Sequence, residues 1–490
     1  MSKSKKNTKN KAKSKKKLNI FSKVVGILFD ILLIILLGLI IYMDVLPTKY
    51  FTLIIGALVF IAFIINLILF MPKIKSKLKI PTNVIAILFS IVFGLGINYL
   101  YNTVDFLGRI TSSGYQVENY YVVVLDNETY FELDDLKNYK MGIYVSENET
   151  YKKARKEIES KIKTKNTDYK DTLKLADDLL EEEVDAIFVS EAYKVNLDEE
   201  VENFKNSTKI LHTVSIKTKT KDIAKEVKVT EESFNIYISG IDTYGTISSV
   251  SRSDVNMIVT VNPNTHEILL TSVPRDYYVQ LNGTKGLKDK LTHAGIYGVN
   301  KSIKTLEDLF GIEINYYVKV NFTTLIDVVD VIGGIDVYSD TAFTAWTDRT
   351  VRVKKGNNHF NGKKALAFAR ERYAYKEGDR HRVKNQQDVI TAIMNKVLTS
   401  ETLIKKYNSL LDTLDGSFQT NMNMNSITSL VKKQIDSMPK WNIISQSVNG
   451  TDSQQFTYSY PGQELYVMIP DMTTVETAKT KINEVLNKEK

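Results

Sequence analysis

Arginine is concentrated in one short stretch of this sequence. Of the 65 basic residues only ten are Arg, and eight of these lie between Arg252 and Arg382. Four fall within thirteen residues, interleaved with acidic residues and followed by two Gln: Arg370, Glu371, Arg372, Asp379, Arg380, Arg382, Gln386 and Gln387. Because Lys is the default cation elsewhere, the cluster indicates a need for the planar, bidentate guanidinium, which suits carboxylate or phosphate. The first hypothesis is therefore a phosphate-binding site.

A second group of charged residues lies about a hundred positions earlier, at the ends of predicted strands. Strands are predicted at 234–240, 256–261 and 268–273, the latter two joined by a hairpin turn at 262–265. Asp242 follows the first strand, Asp254 and Arg252 precede the second, and Arg275 and Asp276 follow the third. Since α/β folds place their sites at strand ends, these residues are candidates for the same site.

Spacing decides which members of the cluster can act together. Arg370 and Arg372 share a face only if the chain is extended after a helix at 363–368. Asp379, Arg382 and Gln386 share a face if the following helix begins at Asp379, since their spacing is i, i+3, i+7. The alternative is a set of surface ion pairs, each worth ~0–1 kcal/mol.

Composition excludes several kinds of site. The chain has no Cys, which removes disulfides, thiolate catalysis and Cys-based zinc sites, and its five His are scattered. A metal held by carboxylates would be a hard ion such as Mg²⁺. The formal charge of +8 is carried by the first 79 residues, which hold 15 Lys and two Asp, so the remainder is mildly acidic. A nucleic-acid partner is therefore not expected.

The amino-terminal part has the pattern of a membrane anchor. A Lys-rich tail at 1–19 precedes three apolar runs at 20–43, 51–70 and 82–104, each long enough to cross a bilayer. The loop at 71–81 is basic, so the positive-inside rule places the tail and this loop in the cytoplasm. The sequence thus predicts a multi-pass cell-membrane protein whose remaining chain is extracytoplasmic.

The rest of the chain alternates strand and helix patterns, which predicts an α/β fold. Residues 115–228 are expected to form an accessory α/β domain with a linker, including helices at 149–162 and 169–182, and carry no catalytic constellation. Residues 233–490 are expected to form a second domain, with a central mixed sheet flanked by helices, that carries both charged groups.

The motifs of this second domain resemble those of the LytR-CpsA-Psr family. The matching segments occur in order: GID, RSD, SVPRDYYV, VVDVIGGIDV, FNGKKALAFARER and GDRHRVKNQQ, covering roughly 233–398. Three apolar runs and an accessory region before this domain are similar to the capsule-type branch. The resemblance implies a magnesium-dependent phosphotransferase that moves a capsular polysaccharide or related wall glycopolymer, such as a teichoic acid, from an undecaprenyl-pyrophosphate carrier to peptidoglycan.

The resemblance also implies roles for individual residues. Asp242 and Asp254 would hold Mg²⁺, and Asp379 would orient the arginines. The residues implied for pyrophosphate binding are Arg252, Arg275, Arg370, Arg372, Arg382 and Gln386. The catalytic candidates are Arg275, Asp276 and Asp379, the two carboxylates being the nearest candidates for a general base. The apolar stretches at 325–332 and 389–397 could house a lipid tail, although core packing explains them equally well.

Two departures from the family pattern and two other functions remain at this stage. Asn385 stands where the family often has Arg, and Gly298-Val299 replaces a common Gly-Gly. A transcriptional attenuator is disfavoured because the expected topology puts the charged domain outside the cell. A non-enzymatic scaffold that binds polyprenyl phosphates and signals to capsule assembly proteins would use the same residues as a transferase.

Overall fold

The computed structural model describes residues 2–44, 46–111, 115–146, 148–219, 223–242, 244, 247, 251–398, 409–410, 413–414, 416–460 and 462–489. The chain divides into two compact units. The first comprises Met1–Arg109 and Asn423–Pro439, and the second comprises Ile110–Met422 and Lys440–Lys490.

The first unit is helical. Its helices are α1 (Ser2–Met43), α2 (Thr48–Phe70), α3 (Ser76–Thr111) and α12 (Met424–Ser437). The segments Lys13–Met43, Thr48–Phe70 and Ser76–Gly108 are long and apolar enough to cross a membrane. The Asn66 amide donates to the Asp30 carboxylate at 2.7 Å, and this bond joins α2 to α1. The three apolar helices expected from the sequence are therefore present.

The second unit contains two larger sheets, one of five strands and one of six, each accompanied by helices. The first has the strand order β3-β2-β4-β1-β5, with β1 antiparallel to β4 and β5 and with β2 parallel to β3 and β4. Its strands are β1 (Tyr115–Leu125), β2 (Lys140–Tyr144), β3 (Lys165–Tyr169), β4 (Ala186–Ser190) and β5 (Thr208–Lys219). Its helices are α4 (Glu149–Lys161), α5 (Thr172–Leu180), α6 (Glu191–Glu200) and α7 (Phe204–Ser207).

The edge of this sheet at β3 differs from the sequence prediction. The helix expected at 169–182 is shorter, because Lys165–Tyr169 forms β3 and the helix begins only at Thr172. Asp171 caps the helix, since its carboxylate accepts the backbone N–H of Leu173 at 2.8 Å. The edge strand is exposed and polar, so it has no apolar alternation by which the sequence could reveal it.

The second sheet is mixed and lies within the region that carries the charged motifs. Its order is β16-β11-β6-β7-β8-β17; β6 is parallel to β11, β17 is parallel to β8, and the other pairs are antiparallel. Its strands are β6 (Phe234–Gly240), β7 (Val255–Asn262), β8 (Glu267–Val273), β11 (Tyr316–Val320), β16 (Phe418–Thr420) and β17 (Asn442–Ser447). Every residue of β8 is buried, as expected where helices cover both faces of a sheet.

Helices and short hairpins surround this sheet. The helices are α8 (Val299–Phe310), α9 (Phe322–Val331), α10 (Gly362–Arg370), α11 (Asp379–Val397) and α13 (Met472–Asn487). The remaining strands are β9 (Tyr278–Gln280), β10 (Lys288–Lys290), β12 (Ile335–Ser339), β13 (Phe343–Thr344), β14 (Arg352–Val353), β15 (Gly356–Phe360), β18 (Gly450–Phe456) and β19 (Glu464–Pro470). The mixed α/β class expected from the sequence is thus confirmed.

One close helix contact explains a glycine of the FNGKK motif. A side chain at Gly362 would collide with the backbone of Ile326 on α9. The Gly362 N–H instead donates to the Asp330 carboxylate at 2.7 Å, and Asn361 caps α10 by accepting from the Lys364 N–H at 3.0 Å. These contacts fix α10, and with it Arg370 at its end, against α9.

Candidate anion-binding site

The first wall of the site is built by antiparallel pairing of β6 and β7. Gly240, the last residue of β6, is paired with Val255, the first residue of β7. Asp242 and Asp254 therefore emerge at the same edge of the sheet, and the Asp254 N–H donates to the Gly240 carbonyl at 2.8 Å. Most of the segment that joins them, between Asp242 and Ser251, lies outside the described residues.

Arg275 reaches this edge from β8. Its Nη1 donates to Asp254 Oδ1 at 2.7 Å, and Arg252 Nη2 lies 3.9 Å from the same oxygen. Burial by itself would raise the pKa of Asp254, but Arg275, Arg252 and Arg382 outweigh burial, and the pKa lies well below its ordinary value. Asp254 is therefore an ionised carboxylate held among guanidinium groups.

A 3₁₀ turn at Leu291–Tyr297 ties the two segments of this wall together. The Thr292 N–H donates to the Arg275 carbonyl at 2.8 Å, and the Ser253 N–H donates to the Thr292 carbonyl at 3.3 Å. A side chain at Gly295 would collide with the Ser251 carbonyl, so only glycine permits this approach. The backbone around Arg275 and Asp254 is thus fixed by a segment with no site residue of its own.

This turn rests on a buried carboxylate–imidazole pair that sequence reasoning missed. Asp289 Oδ1 lies 2.6 Å from His293 Nδ1, and Asp289 Oδ2 accepts the Ser459 N–H at 2.8 Å. Burial would raise the pKa of Asp289, but the contacts with His293 and Ser459 dominate and lower it. The i, i+4 spacing of Asp289 and His293 was the available signal, although it does not reveal that both side chains are buried.

The second wall begins where α10 ends at Arg370. The next residue, Glu371, is buried, and its Oε1 accepts the backbone N–H groups of Arg372, Tyr373 and Ala374 at 3.1, 2.8 and 3.0 Å. Its other oxygen accepts the Trp346 N–H at 2.6 Å. Glu371 therefore fixes the turn that carries Arg372. The sequence showed an acid between two arginines but not that its partners are backbone groups.

Helix α11 completes the second wall and begins at Asp379, as the spacing argument required. Arg382 Nη2 lies 2.8 Å from Asp379 Oδ1, and Arg372 Nε lies 3.6 Å from the same atom. Burial, opposed by Asp379 and reinforced by Arg275 and Arg372, lowers the pKa of Arg382 to about 10. Asp379 therefore lies between two of the arginines predicted to bind an anion.

The two walls meet across the sheet edge. Arg370 Nη2 lies 3.6 Å from Asp242 Oδ1, and the Arg370 guanidinium stacks over the Phe322 ring at 4.3 Å. The site brings together five arginines and three aspartates: Arg252, Arg275, Arg370, Arg372, Arg382, Asp242, Asp254 and Asp379. The surplus of guanidinium over carboxylate groups favours a bound anion.

Three polar side chains of this stretch point away from the site. Arg380 donates to Asn449 Oδ1 and to the Gly450 carbonyl, each at 3.0 Å. It faces away from Arg382 because residues two positions apart on a helix point in different directions. Asn385, which departs from the family pattern, is buried and donates to the Phe368 carbonyl at 3.0 Å. Gln387 likewise donates to Ser272 and to the Gln446 carbonyl. These three side chains support the fold around the site.

A cavity of about 290 Å³ opens between the walls. Its charged and amide lining comprises Asp242, Asp254, Asn321, Arg370, Arg372, Arg382 and Gln386. Its apolar lining includes Ile238, Ile241, Val255, Val320, Phe322, Leu325, Leu366, Val389 and Ile390. Four of the predicted site residues are not among the described residues that line it: Arg252, Arg275, Asp276 and Asp379. The cavity is therefore amphipathic, with room for an anionic group and an apolar chain.

Asp276 lies beside the first wall. It is buried, with Oδ2 at 3.5 Å from Arg275 Nε and Oδ1 at 3.7 Å from Lys290 Nζ.

No cluster of three or more His, Asp or Glu side chains suited to a metal occurs in the described part of the chain. The candidate ligands Asp242 and Asp254 are thus a pair of carboxylates.

Comparison with known proteins places this region in a family. The chain is 34% identical over 210 residues to the Bacillus cereus polyisoprenyl-teichoic acid–peptidoglycan teichoic acid transferase TagU, covering 42% of this chain and 67% of that protein. It is 34% identical over 219 residues to biofilm regulatory protein A of Streptococcus mutans serotype c, covering 42% of this chain and 53% of that protein. The chain thus spans about half to two thirds of the length of these curated relatives.

A solved structure and a family model give further matches. The crystal structure of B. subtilis TagV is 29% identical, with a TM-score of 0.45, covering 53% of this chain and 99% of that one. The LytR_cpsA_psr family model matches residues 199–481, more than half of the chain and all of the site described above. The chain therefore belongs to the LytR_cpsA_psr family.

Proposed function

We propose that this protein is a membrane-anchored phosphotransferase that moves a capsular polysaccharide or related wall glycopolymer from an undecaprenyl-pyrophosphate carrier to peptidoglycan. The observation that carries the proposal is the amphipathic cavity, in which arginines and aspartates lie beside an apolar lining. A polyprenyl pyrophosphate has the matching chemistry, an anionic group joined to a long apolar chain. The name of the Bacillus cereus relative, a teichoic acid transferase, supports the same class of reaction.

The reaction needs little covalent chemistry from the protein. A hydroxyl oxygen of the acceptor sugar attacks the phosphorus that bears the glycan, and the bond from this phosphorus to the bridging oxygen breaks. A glycan phosphodiester forms, polyprenyl phosphate leaves with the electron pair, and the hydroxyl proton passes to a base. The protein mainly has to neutralise charge and align the reacting groups.

The arginines have complementary tasks in this scheme. Arg370, Arg372 and Arg382 line the cavity and bind the pyrophosphate oxygens, together with Gln386. Arg275 and Arg252 belong to the opposite wall and add positive charge through their contacts with Asp254. Asp379 orients Arg372 and Arg382, to which it is already paired. Asp276 and Asp379 are the candidates for the base that takes the acceptor proton.

The carboxylate pair fits a magnesium ion. Asp242 and Asp254 line one cavity, and Mg²⁺ is commonly held by one or two carboxylates with substrate phosphates completing its shell. Asp254 remains ionised among its arginine neighbours, as a metal ligand must. The ion, when bound, would neutralise charge on the pyrophosphate. The arginines still position the substrate through their own contacts.

A membrane anchor suits an enzyme whose substrate carrier is a membrane lipid. Three helices long and apolar enough to span a membrane precede the site, and a polyprenyl carrier resides in the same bilayer. The basic tail and the loop at 71–81 are cytoplasmic in this proposal, which puts the site outside the cell, where peptidoglycan lies.

A reconstituted transfer assay tests the proposal. The full chain in lipid nanodiscs is incubated with a polyprenyl-pyrophosphate-linked sugar, Mg²⁺ and uncrosslinked peptidoglycan, and the product is detected by mass spectrometry. We expect transfer by the native chain and its loss in Asp254→Ala. Arg380→Ala is the matched control, because Arg380 belongs to the same cluster but bonds to β18. Carrier binding without transfer would instead support a non-enzymatic scaffold.

A further inference from the structure

A second cavity adjoins the first one. It measures about 540 Å³ and is more open, and Arg372 and Tyr373 line both cavities. Its other lining residues are Glu200, Arg275, Asp276, Lys290, Tyr375, Gly378, Asp379 and Tyr466. The two candidate bases, Asp276 and Asp379, line this second cavity and not the amphipathic one.

The linings of the two cavities have different chemistry. The first carries many aliphatic side chains, whereas the second carries carboxylates, cations and three tyrosines. Carboxylates accept hydrogen bonds from sugar hydroxyls, cations donate to sugar and carbonyl oxygens, and tyrosine rings cover the apolar C–H face of a sugar. The second cavity therefore suits a sugar rather than a lipid.

Ion pairs among the residues that line the second cavity connect the region of the first sheet to the region of the second sheet. Lys290 Nζ lies 3.7 Å from Asp276 Oδ1 and 3.5 Å from Glu200 Oε1. Lys290 and Asp276 are buried, and Asp276 also contacts Arg275 at 3.5 Å. Glu200 is the last residue of α6, which belongs to the first sheet region.

Packing of helix α6 fixes the position of the Glu200 carboxylate. Tyr193 of α6 packs edge-on against the buried Tyr460 ring at 6.2 Å, and Asn196 of the same helix is fully buried. The ring of Tyr460 also packs on His293, within the turn that holds Arg275. The first sheet region is thus joined to the site by side-chain packing as well as by the Glu200–Lys290 pair.

We infer that the second cavity binds the acceptor glycan of peptidoglycan, and that Glu200 of the first sheet region is a positioning residue that holds Lys290 beside Asp276 in that acceptor site. The inference rests on the proposed function. It gives the first sheet region, which has no catalytic constellation in its sequence, a part in acceptor recognition. It also places the acceptor hydroxyl next to both candidate bases and next to Arg372, which lines the donor cavity as well.

Steady-state kinetics of Glu200→Gln in the full chain test the inference. The substitution keeps the size of the side chain and removes its charge, so Lys290 loses one of its two partners. We expect the KM for uncrosslinked peptidoglycan to rise about tenfold, corresponding to ~1.4 kcal/mol, while the KM for the polyprenyl-pyrophosphate donor stays within twofold. Glu202→Gln is the matched control, since Glu202 is exposed two residues later and is not among the residues that line the cavity.

The opposite pattern would overturn the inference. A raised donor KM with an unchanged acceptor KM would assign the cavity to the glycan of the donor, and an unchanged acceptor KM refutes the acceptor site whatever happens to kcat. A direct binding measurement separates this result from failure of the proposed function. If the native chain does not transfer, titration with a soluble disaccharide-peptide fragment of peptidoglycan must still show weaker binding to Glu200→Gln than to Glu202→Gln.

Discussion

The second unit contains two α/β sheets that treat their charged residues differently. In the first sheet region, Arg155 pairs with Glu159 at 2.9 Å and with Asp168 at 3.0 Å, and the three side chains are 29%, 37% and 54% exposed. In the second, Arg275 and Asp254 are 13% and 11% exposed and lie 2.7 Å apart. Exposed pairs contribute little, whereas buried charges must be paired or bind a ligand.

The difference teaches that the fold class does not create a site. Both sheets place strand ends beside helices, but the first uses them for capping, as where Ser190 at the end of β4 accepts the Tyr193 N–H at the start of α6. The second sheet has charged residues, Asp242, Asp254 and Arg275, next to its strand ends. A second charged segment, which carries Arg370, Arg372 and Arg382, lies opposite them. If the comparison is correct, substitutions of buried and exposed charges must have effects of very different size.

The largest effect is expected from Arg275→Ala. This change removes the partner of a buried carboxylate and a guanidinium that would face the developing charge of the reaction. We expect the transfer rate to fall by about 10²–10³-fold, the range for loss of one electrostatic donor in an active site. Rates are measured at saturating donor and acceptor. Retention of more than a tenth of the activity would show that the buried cluster is not the reaction centre.

The next effect concerns the buried pair that holds the 3₁₀ turn. Asp289→Asn should lower the free energy of unfolding by about 1–3 kcal/mol at pH 7, because it weakens the contacts with His293 and Ser459. The folded pKa of Asp289 is lowered, so its stabilisation is present above the unfolded pKa and is lost as pH falls through the folded value. The difference in free energy of unfolding between the native chain and Asp289→Asn should therefore become smaller below about pH 4. Thermal unfolding of both chains in detergent at several pH values measures this difference. A stability difference that does not change with pH would contradict the prediction.

A smaller effect is expected in the apolar part of the cavity. Leu325→Trp should fill part of the cavity that Leu325 and Val389 both line, and raise the KM for a long-chain polyprenyl donor about tenfold. A donor with a short lipid serves as the control substrate, because it needs less of the apolar lining. Equal losses with both donors would assign Leu325 to core packing, the alternative that its sequence position leaves open.

The smallest effect is expected in the first sheet region. Arg155→Ala should change the free energy of unfolding by less than about 1 kcal/mol and leave transfer unaltered, because its ion pairs are exposed. Chemical denaturation and the transfer assay measure the two quantities. A loss of transfer comparable with that of Arg275→Ala would break the distinction between the two sheets.

Much of the fold could be predicted because its signals are local. Three apolar runs long enough to cross a bilayer reveal themselves by composition, and β6, β7 and β8 appear within a residue or two of the predicted strands. Asp379, Arg382 and Gln386 share a helix face because α11 begins at Asp379. Strands β3 and β5 were not predicted. β3 is polar and exposed, and the end of β5 overlaps the Lys-rich stretch at 217–228, which was expected to be the linker.

The sequence by itself determined the chemistry of this protein: scarce arginines gathered in two segments, carboxylates at strand ends, and apolar helices before them. Only the tertiary structure decided which charges act together. It turned Arg382 towards the site and Arg380 towards β18, and it buried Glu371 against backbone N–H groups. It also brought Glu200, at the end of α6, to Lys290. The physical reason is that helix faces and strand ends are read from neighbouring residues, whereas burial and contacts across ninety or more positions depend on how the whole chain packs.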